Sequence, residues 1–237
     1  MTSLDGRVVA IAGAGGGLGP TVARVLAEAG ASLALNDRSA PALSACVDGL
    51  AVAPERVHRD TSDLLDPDAV QRWATAASTV LGPVDALVHL VGGWRGGRPL
   101  AEGGAEDWAA LEPLLVRTVQ HTSSAFRASL AASEHGRFVL VSAKQAVAPS
   151  GSNAGYAAAK AAAEAWTFAL ADDLAETAAT ANVVAVNMVV TPKMRQENPG
   201  KTFATGTDTG EIAQTIAWLL SDAARKTSGQ RIALHGR

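Results

Sequence analysis

Apolar residues follow two rhythms along this chain. Short, nearly unbroken apolar runs stand at 7–13 (RVVAIAG), 32–37 (SLALND), 56–59 (RVHR), 85–91 (DALVHLV), 137–142 (RFVLVS), 182–187 (NVVAVN) and 231–235 (RIALH). Runs that do not alternate with polar residues predict strands covered on both faces of a parallel sheet. Between them lie TVARVLAEAG, DAVQRWATAASTV, a long stretch from about 105 to 132, AAAKAAAEAWTFALADDLAE and EIAQTIAWLLSD. These carry apolar residues at helical spacing and are rich in alanine, the best helix former. Strands alternating with helices predict an α/β fold with a doubly wound parallel sheet of the Rossmann type, about seven strands flanked by helices. The whole of 1–237 reads as one domain. The least regular segment, 191–209, is long for a connection between a strand and a helix, and a substrate lid is expected there.

Composition narrows the classes. The chain has 237 residues, a formal net charge of −3 and 48% apolar residues. A near-neutral balance without runs of like charge gives no reason to expect nucleic acid or an anionic membrane as partner. No stretch nears 18 uninterrupted apolar residues, and the N-terminus lacks a basic segment followed by an apolar one. A cytoplasmic protein is expected. Cys46 is the single cysteine, which excludes an intramolecular disulfide, and no His/Asp/Glu cluster has metal-ligand spacing.

The first apolar run ends in AGAGGGLGP, five glycines within seven residues. A turn without Cβ atoms between a strand and a helix lets a pyrophosphate approach the backbone at the helix N-terminus. Asp37 closes the second strand about twenty residues on, where a carboxylate accepts hydrogen bonds from the adenosine ribose and repels a 2′-phosphate. The cofactor expected is therefore NAD(H), with Arg38 the one nearby group able to favour NADP(H) by pairing with that phosphate. Tyr156 and Lys160 stand four apart in an alanine-rich helix, so phenol and ammonium share one face. At an effective dielectric of 20 and 4 Å the lysine charge would contribute about 4 kcal/mol, which predicts a tyrosine pKa lowered towards neutrality. Tyr156 is then the expected proton donor.

With these motifs the chain resembles the short-chain dehydrogenase/reductase family over essentially its whole length. Gly13-x-x-x-Gly17-x-Gly19 is similar to the family's T-G-x-x-x-G-x-G, and Asn182 and Thr191 fall where the family has N-x-x-x-P-G-x-x-x-T. The resemblance implies that Gly13, Gly17, Leu18 and Gly19 hold the pyrophosphate, and that Lys160 holds the nicotinamide ribose. It further implies that Thr191 meets the nicotinamide carboxamide and Asp60, with Thr61, holds the adenine. Asp63 reads as the start of the next helix. His89-Leu90-Val91-Gly92 replaces the family's Asn-Asn-Ala-Gly, which puts Val91 and Gly92 along the cofactor.

Other departures bear on the reaction. The catalytic serine of the family lies thirteen residues before the tyrosine, and that position is Ala143. Ser142 is adjacent, but neighbouring strand residues face opposite ways. The family's Pro-Gly is Val186-Asn187, and the asparagine of its long central helix is missing, with Leu115 or Thr118 nearest. The dihydropteridine reductase branch is similar at these same places: VDALVHLVGGWRGG at 84–97, Ala143-Lys144-Gln145-Ala146-Val147, and Thr191, Pro192, Arg195, Pro199 and Phe203. That branch implies that Trp94 packs on a flat bicyclic substrate, with Ala143 and Arg195 beside it.

The activity expected is hydride transfer between NAD(H) and a small planar or carbonyl substrate, pterin-like or quinonoid. Reducing a quinonoid ring spreads negative charge over several atoms, so a missing hydroxyl donor matters less there. Two alternatives stand: a non-catalytic NAD(H)-binding sensor or scaffold, and an ordinary ketone or alcohol dehydrogenase that uses Ser142. The helix after Tyr156 carries Trp166 and Phe168 and is apolar around much of its circumference, which predicts a homodimer or homotetramer.

Overall fold

The computed structural model describes residues 2–235. Seven parallel strands form one sheet in the order β3-β2-β1-β4-β5-β6-β9: β1 (Val8–Ala12), β2 (Ser32–Asn36), β3 (Val57–Asp60), β4 (Ala86–His89), β5 (Arg137–Ala143), β6 (Thr180–Val186) and β9 (Arg231–Ala233). All seven expected runs supply a strand of this sheet. Helices α1 (Gly19–Glu28), α2 (Ala40–Asp48) and α8 (Thr209–Leu220) cover one face; α3 (Pro67–Leu81), α5 (Thr118–Ala132) and α6 (Ala154–Asp173) cover the other. Within β1, Val9 and Ile11 join the first core, while Val8, Ala10 and Ala12 join the second. Burial on both sides is why the run shows no alternation. The edge strands β3 and β9 depart from that expectation. Each pairs with a single neighbouring strand, and neither is fully buried.

Three other elements differ from the sequence reading. α2 was not among the stretches with helical periodicity; Ser39 caps it by accepting from the Ala42 N–H at 3.3 Å. The stretch 105–132 is not one helix. α4 (Leu100–Glu112) meets a π-turn at Pro113–Arg117 before α5 begins. Pro113 has no N–H to continue the helical ladder, and the Thr118 N–H reaches back to the Pro113 carbonyl instead. The segment 191–209 holds a short helix, α7 (Pro192–Glu197), and its flanks form a two-stranded sheet of β7 (Val189–Val190) and β8 (Thr207–Asp208).

The chain leaves β1 for β2 and β3 on one side, then crosses back to β4 on the other. That reversal opens a crevice at the carboxyl ends of β1 and β4, where open α/β sheets bind ligands.

Candidate active site

The carboxyl ends of β1, β4, β5 and β6 open into a cleft of about 810 Å³. The glycine turn forms one wall. Gly13 has φ +84°, and a Cβ there would lie 2.9 Å from the Val91 nitrogen. The Gly15 N–H donates to Asp37 Oδ2 at 2.9 Å, and a Cβ on Gly15 would collide with that carboxyl group. Gly16 and Gly17 border the cleft directly. α1 begins without a side-chain cap on Leu18, which leaves the positive end of the helix open to an anion. Asp37 uses each carboxylate oxygen once, for the Gly15 and Ser39 N–H groups. Each oxygen keeps a further lone pair for a ribose hydroxyl. A turn without Cβ atoms, an uncapped helix end and this acid fit a dinucleotide.

α6 brings Tyr156 and Lys160 to the cleft. It lies close against α4 because residue 155 is glycine: a Cβ there would sit 2.7 Å from the Trp108 nitrogen. The Tyr156 hydroxyl has no hydrogen-bond partner among the described residues, and burial pushes it up to about 12. The expected lowering by Lys160 is absent. Lys160 Nζ is directed to the Val141 carbonyl, to which it donates at 3.0 Å, and burial draws its own pKa down to about 8 against the opposing pull of Glu164. At neutral pH the site holds a protonated phenol and an ammonium. Glu164 in turn accepts from Arg231 Nε at 2.9 Å, and Arg231 Nη2 donates to the Ala143 carbonyl at 3.0 Å.

His89 is fully buried beneath this pair. Burial, and then the Lys160 charge, push its pKa down to about 3, so the ring is neutral. Its Nδ1 lies 3.1 Å from the Thr122 hydroxyl and its Nε2 lies 3.2 Å from the Thr118 hydroxyl. A neutral imidazole has one N–H, so one threonine accepts from the ring and the other donates to it.

Most residues singled out from the sequence border this one cleft. Gly13, Gly17, Leu18, Asp37, Arg38, Val91 and Gly92 lie on the glycine-turn side, with Thr191 against Gly17; Trp94, Ser142, Ala143, Tyr156 and Lys160 border the same cleft. Ser142 contributes to the wall, but its hydroxyl is sealed from the surface and unpartnered. On β5 it alternates with Phe138 and Leu140, which pack with α6, whereas Ala143 alternates with Val139 and Val141. Four expected residues are elsewhere. Gly19 serves close packing, since a Cβ would run into the Ala14 backbone. Asp60 Oδ1 accepts from Asn36 Nδ2 at 3.0 Å and from the Ser62 N–H at 2.7 Å, stitching β2 to the turn after β3, and Thr61 stays outside with it. Asp63, expected as a helix start, borders the cleft instead. Arg195 is tied to Asp208 by two hydrogen bonds of 3.1 and 2.9 Å and lies over the Phe203 ring, so its charge is spent within the 191–209 segment. Leu114 also lines the cleft and carries no motif that would have found it; Gln145 showed in the sequence only within the stretch Ala143–Val147, and Thr118 and Asn187 only as departures.

Comparison with known proteins agrees with this geometry. The family model for short chain dehydrogenases matches residues 7–202. A (2S)-[(R)-hydroxy(phenyl)methyl]succinyl-CoA dehydrogenase subunit, BbsD, of Thauera aromatica is 29% identical, the match covering 96% of this chain and 94% of that protein. Among solved structures, a blue fluorescent protein from a metagenomic library in complex with NADPH is 29% identical with a TM-score of 0.85, covering 99% of this chain and 98% of that one. A short chain oxidoreductase of Pseudomonas aeruginosa PAO1 with an atypical catalytic center superposes with a TM-score of 0.88 over 98% of this chain and 96% of its own; at 23% identity that likeness shows the fold. The chain belongs to the short-chain dehydrogenase family, and it is an oxidoreductase of that NAD(P)-binding kind.

Proposed function

We propose that the protein moves hydride between NAD(H) and a small planar or carbonyl substrate, pterin-like or quinonoid, held near Tyr156 and Trp94. The dinucleotide supplies or accepts the hydride when bound. Tyr156 Oη gives a proton to the substrate oxygen in the direction of reduction, and its protonated state at neutral pH suits that role. Lys160, charged below pH about 8, keeps a positive charge in the same cleft while its Nζ is held by the Val141 carbonyl. The observation that carries this reading is the unpartnered, protonated phenol in a cleft whose other wall fits a dinucleotide. A sensor has no use for that arrangement. The sealed Ser142 hydroxyl speaks against an ordinary dehydrogenase that relies on it. The loops shared with dihydropteridine reductases, and the missing hydroxyl at Ala143, favour an acceptor that delocalises charge.

NAD(H) is preferred because Asp37 would face a 2′-phosphate, while Arg38 is the only cation along that wall among the described residues. Calorimetric titration should show NADH binding at least about tenfold tighter than NADPH, or roughly 1.4 kcal/mol. Asp37→Ala should narrow the gap. Equal affinities in the parent protein would overturn the preference.

A further inference from the structure

The cleft lacks a hydroxyl at Ala143, yet β6 delivers a different donor beside it. β5 and β6 run parallel with Ala143 opposite Val186, so Asn187 leaves its strand next to the residue that replaces the serine. Asn187 is half-buried and lines the cleft. Its Oδ1 accepts from Gln145 Nε2 at 3.1 Å, and its Nδ2 has no partner among the described residues. Gln145 is thereby the group that sets which end of the Asn187 amide is free. Gln145 Oε1 is sealed and unpartnered. The reverse placement of both amides would seal an NH₂ group with two unmet donors, which costs more than one under-used carbonyl oxygen. The free end of Asn187 is therefore its N–H pair.

We propose that Asn187 Nδ2, oriented by Gln145, donates a hydrogen bond to the substrate oxygen that Tyr156 protonates, in place of the hydroxyl missing at Ala143. This rests on the oxidoreductase reading above. Amide N–H groups aimed at a developing oxyanion are effective donors, and pre-orientation by a neighbour removes the cost of ordering them during reaction. The substrate class that suits the site is a ring carrying an oxygen acceptor at its edge, as in a quinone or a cyclic amide. Gln145 is a positioning residue, since it acts through Asn187.

Menadione serves as the probe, in two measurements. The first is calorimetric binding of menadione to the protein saturated with NAD⁺, a pairing that cannot react. The second is turnover of menadione with NADH. Asn187→Ala should weaken menadione binding about fivefold and lower kcat/KM about tenfold, leaving NAD⁺ affinity unchanged. Adding Ala143→Ser to Asn187→Ala should recover most of the loss. Gln145→Glu is the sharper variant: a carboxylate only accepts, so Asn187 must turn Nδ2 towards it and present Oδ1 to the cleft. It should mimic Asn187→Ala in menadione binding and turnover while leaving NAD⁺ affinity unchanged. If Asn187→Ala and Gln145→Glu bind and reduce menadione like the parent, the assignment fails. Refusal of millimolar menadione by the parent protein would also overturn it. A parent that binds menadione with the same Asn187 dependence but never reduces it would sink the proposed function and leave the donor standing.

Discussion

The state of individual protons follows from how deeply each group is buried. Tyr156 is held neutral by desolvation, with its pKa at about 12, so it is poised as an acid. Tyr156→Phe should lower kcat by about 10²–10⁴, the range for general acid catalysis, and leave NADH binding nearly unchanged. Ser142→Ala provides the contrast, because deleting a sealed and unpartnered hydroxyl costs little stability and should cost no activity. Steady-state kinetics on both variants distinguishes them, and a large loss in Ser142→Ala would return the chemistry to that serine. His89 makes a different prediction. Its folded pKa of about 3 lies below the ordinary imidazole value of 6.5, so the unfolded chain binds the extra proton between those limits. Stability from this group is therefore complete above pH about 6.5 and drains as pH falls towards 3, by at most about 1.4 kcal/mol per pH unit. Urea titrations at pH 7 and pH 5 should show the loss. His89→Leu should flatten it, since the threonine hydroxyl that donated to the ring is freed to donate to its helix carbonyl, that of Leu114 for Thr118 or of Thr118 for Thr122.

Helix placement decides whether these residues meet. α6 reaches the cleft only because Gly155 lets it touch the backbone of α4 at Trp108. Gly155→Ala puts a Cβ against main chain, which cannot yield as a flexible side chain would. The variant should lose about 1–3 kcal/mol of stability, typical of overpacking, and should lose turnover as well because Tyr156 moves with its helix. Chemical denaturation together with kcat tests both parts; an unchanged midpoint would mean that α4 gives way freely. The 191–209 segment teaches the opposite lesson about a charged side chain. Arg195 was expected at the substrate, yet its fork matches Asp208, which also caps α8, and Lys201 and Arg195 both lie about 5 Å from the Phe203 ring centre. A carboxylate and an aromatic face within the same segment hold that guanidinium away from the cleft.

At the scale of the whole molecule, α5 and α6 leave a face that the rest of the chain does not cover. Trp166 is 38% exposed, and its indole N–H donates to Ser123 Oγ on α5 at 2.9 Å. Around it, Ala169 and Leu170 border a shallow groove closed at one side by the Arg127–Asp173 ion pair. An aromatic anchor with an apolar surround is the composition of an interface centre. The proposal is that this face pairs with a second copy. Light scattering at micromolar concentration should report a dimer or tetramer, and Trp166→Glu should shift it towards monomer. A monomeric parent protein would count against the proposal. No helix among the described residues is long and apolar enough to cross a membrane.

The sequence by itself determined what depends on neighbours along the chain. Seven nearly unbroken apolar runs became the seven strands of the main sheet, the glycines after the first run became a turn that fits a dinucleotide, and a four-residue spacing placed Tyr156 and Lys160 on one helical face. Periodicity and backbone conformation are local properties, so they can be read in order. Tertiary structure alone decided what depends on residues far apart. Whether Asp60 or Asp63 borders the cleft turned on Asn36, which claims Asp60 across the sheet. The Tyr156 pKa moved up, because burial by the fold outweighs a lysine that is held by the Val141 carbonyl. Gln145 and Asn187, 42 residues apart, meet only through the register of β5 on β6. Desolvation and cross-strand register are sums over the packed molecule, and no window of sequence contains them.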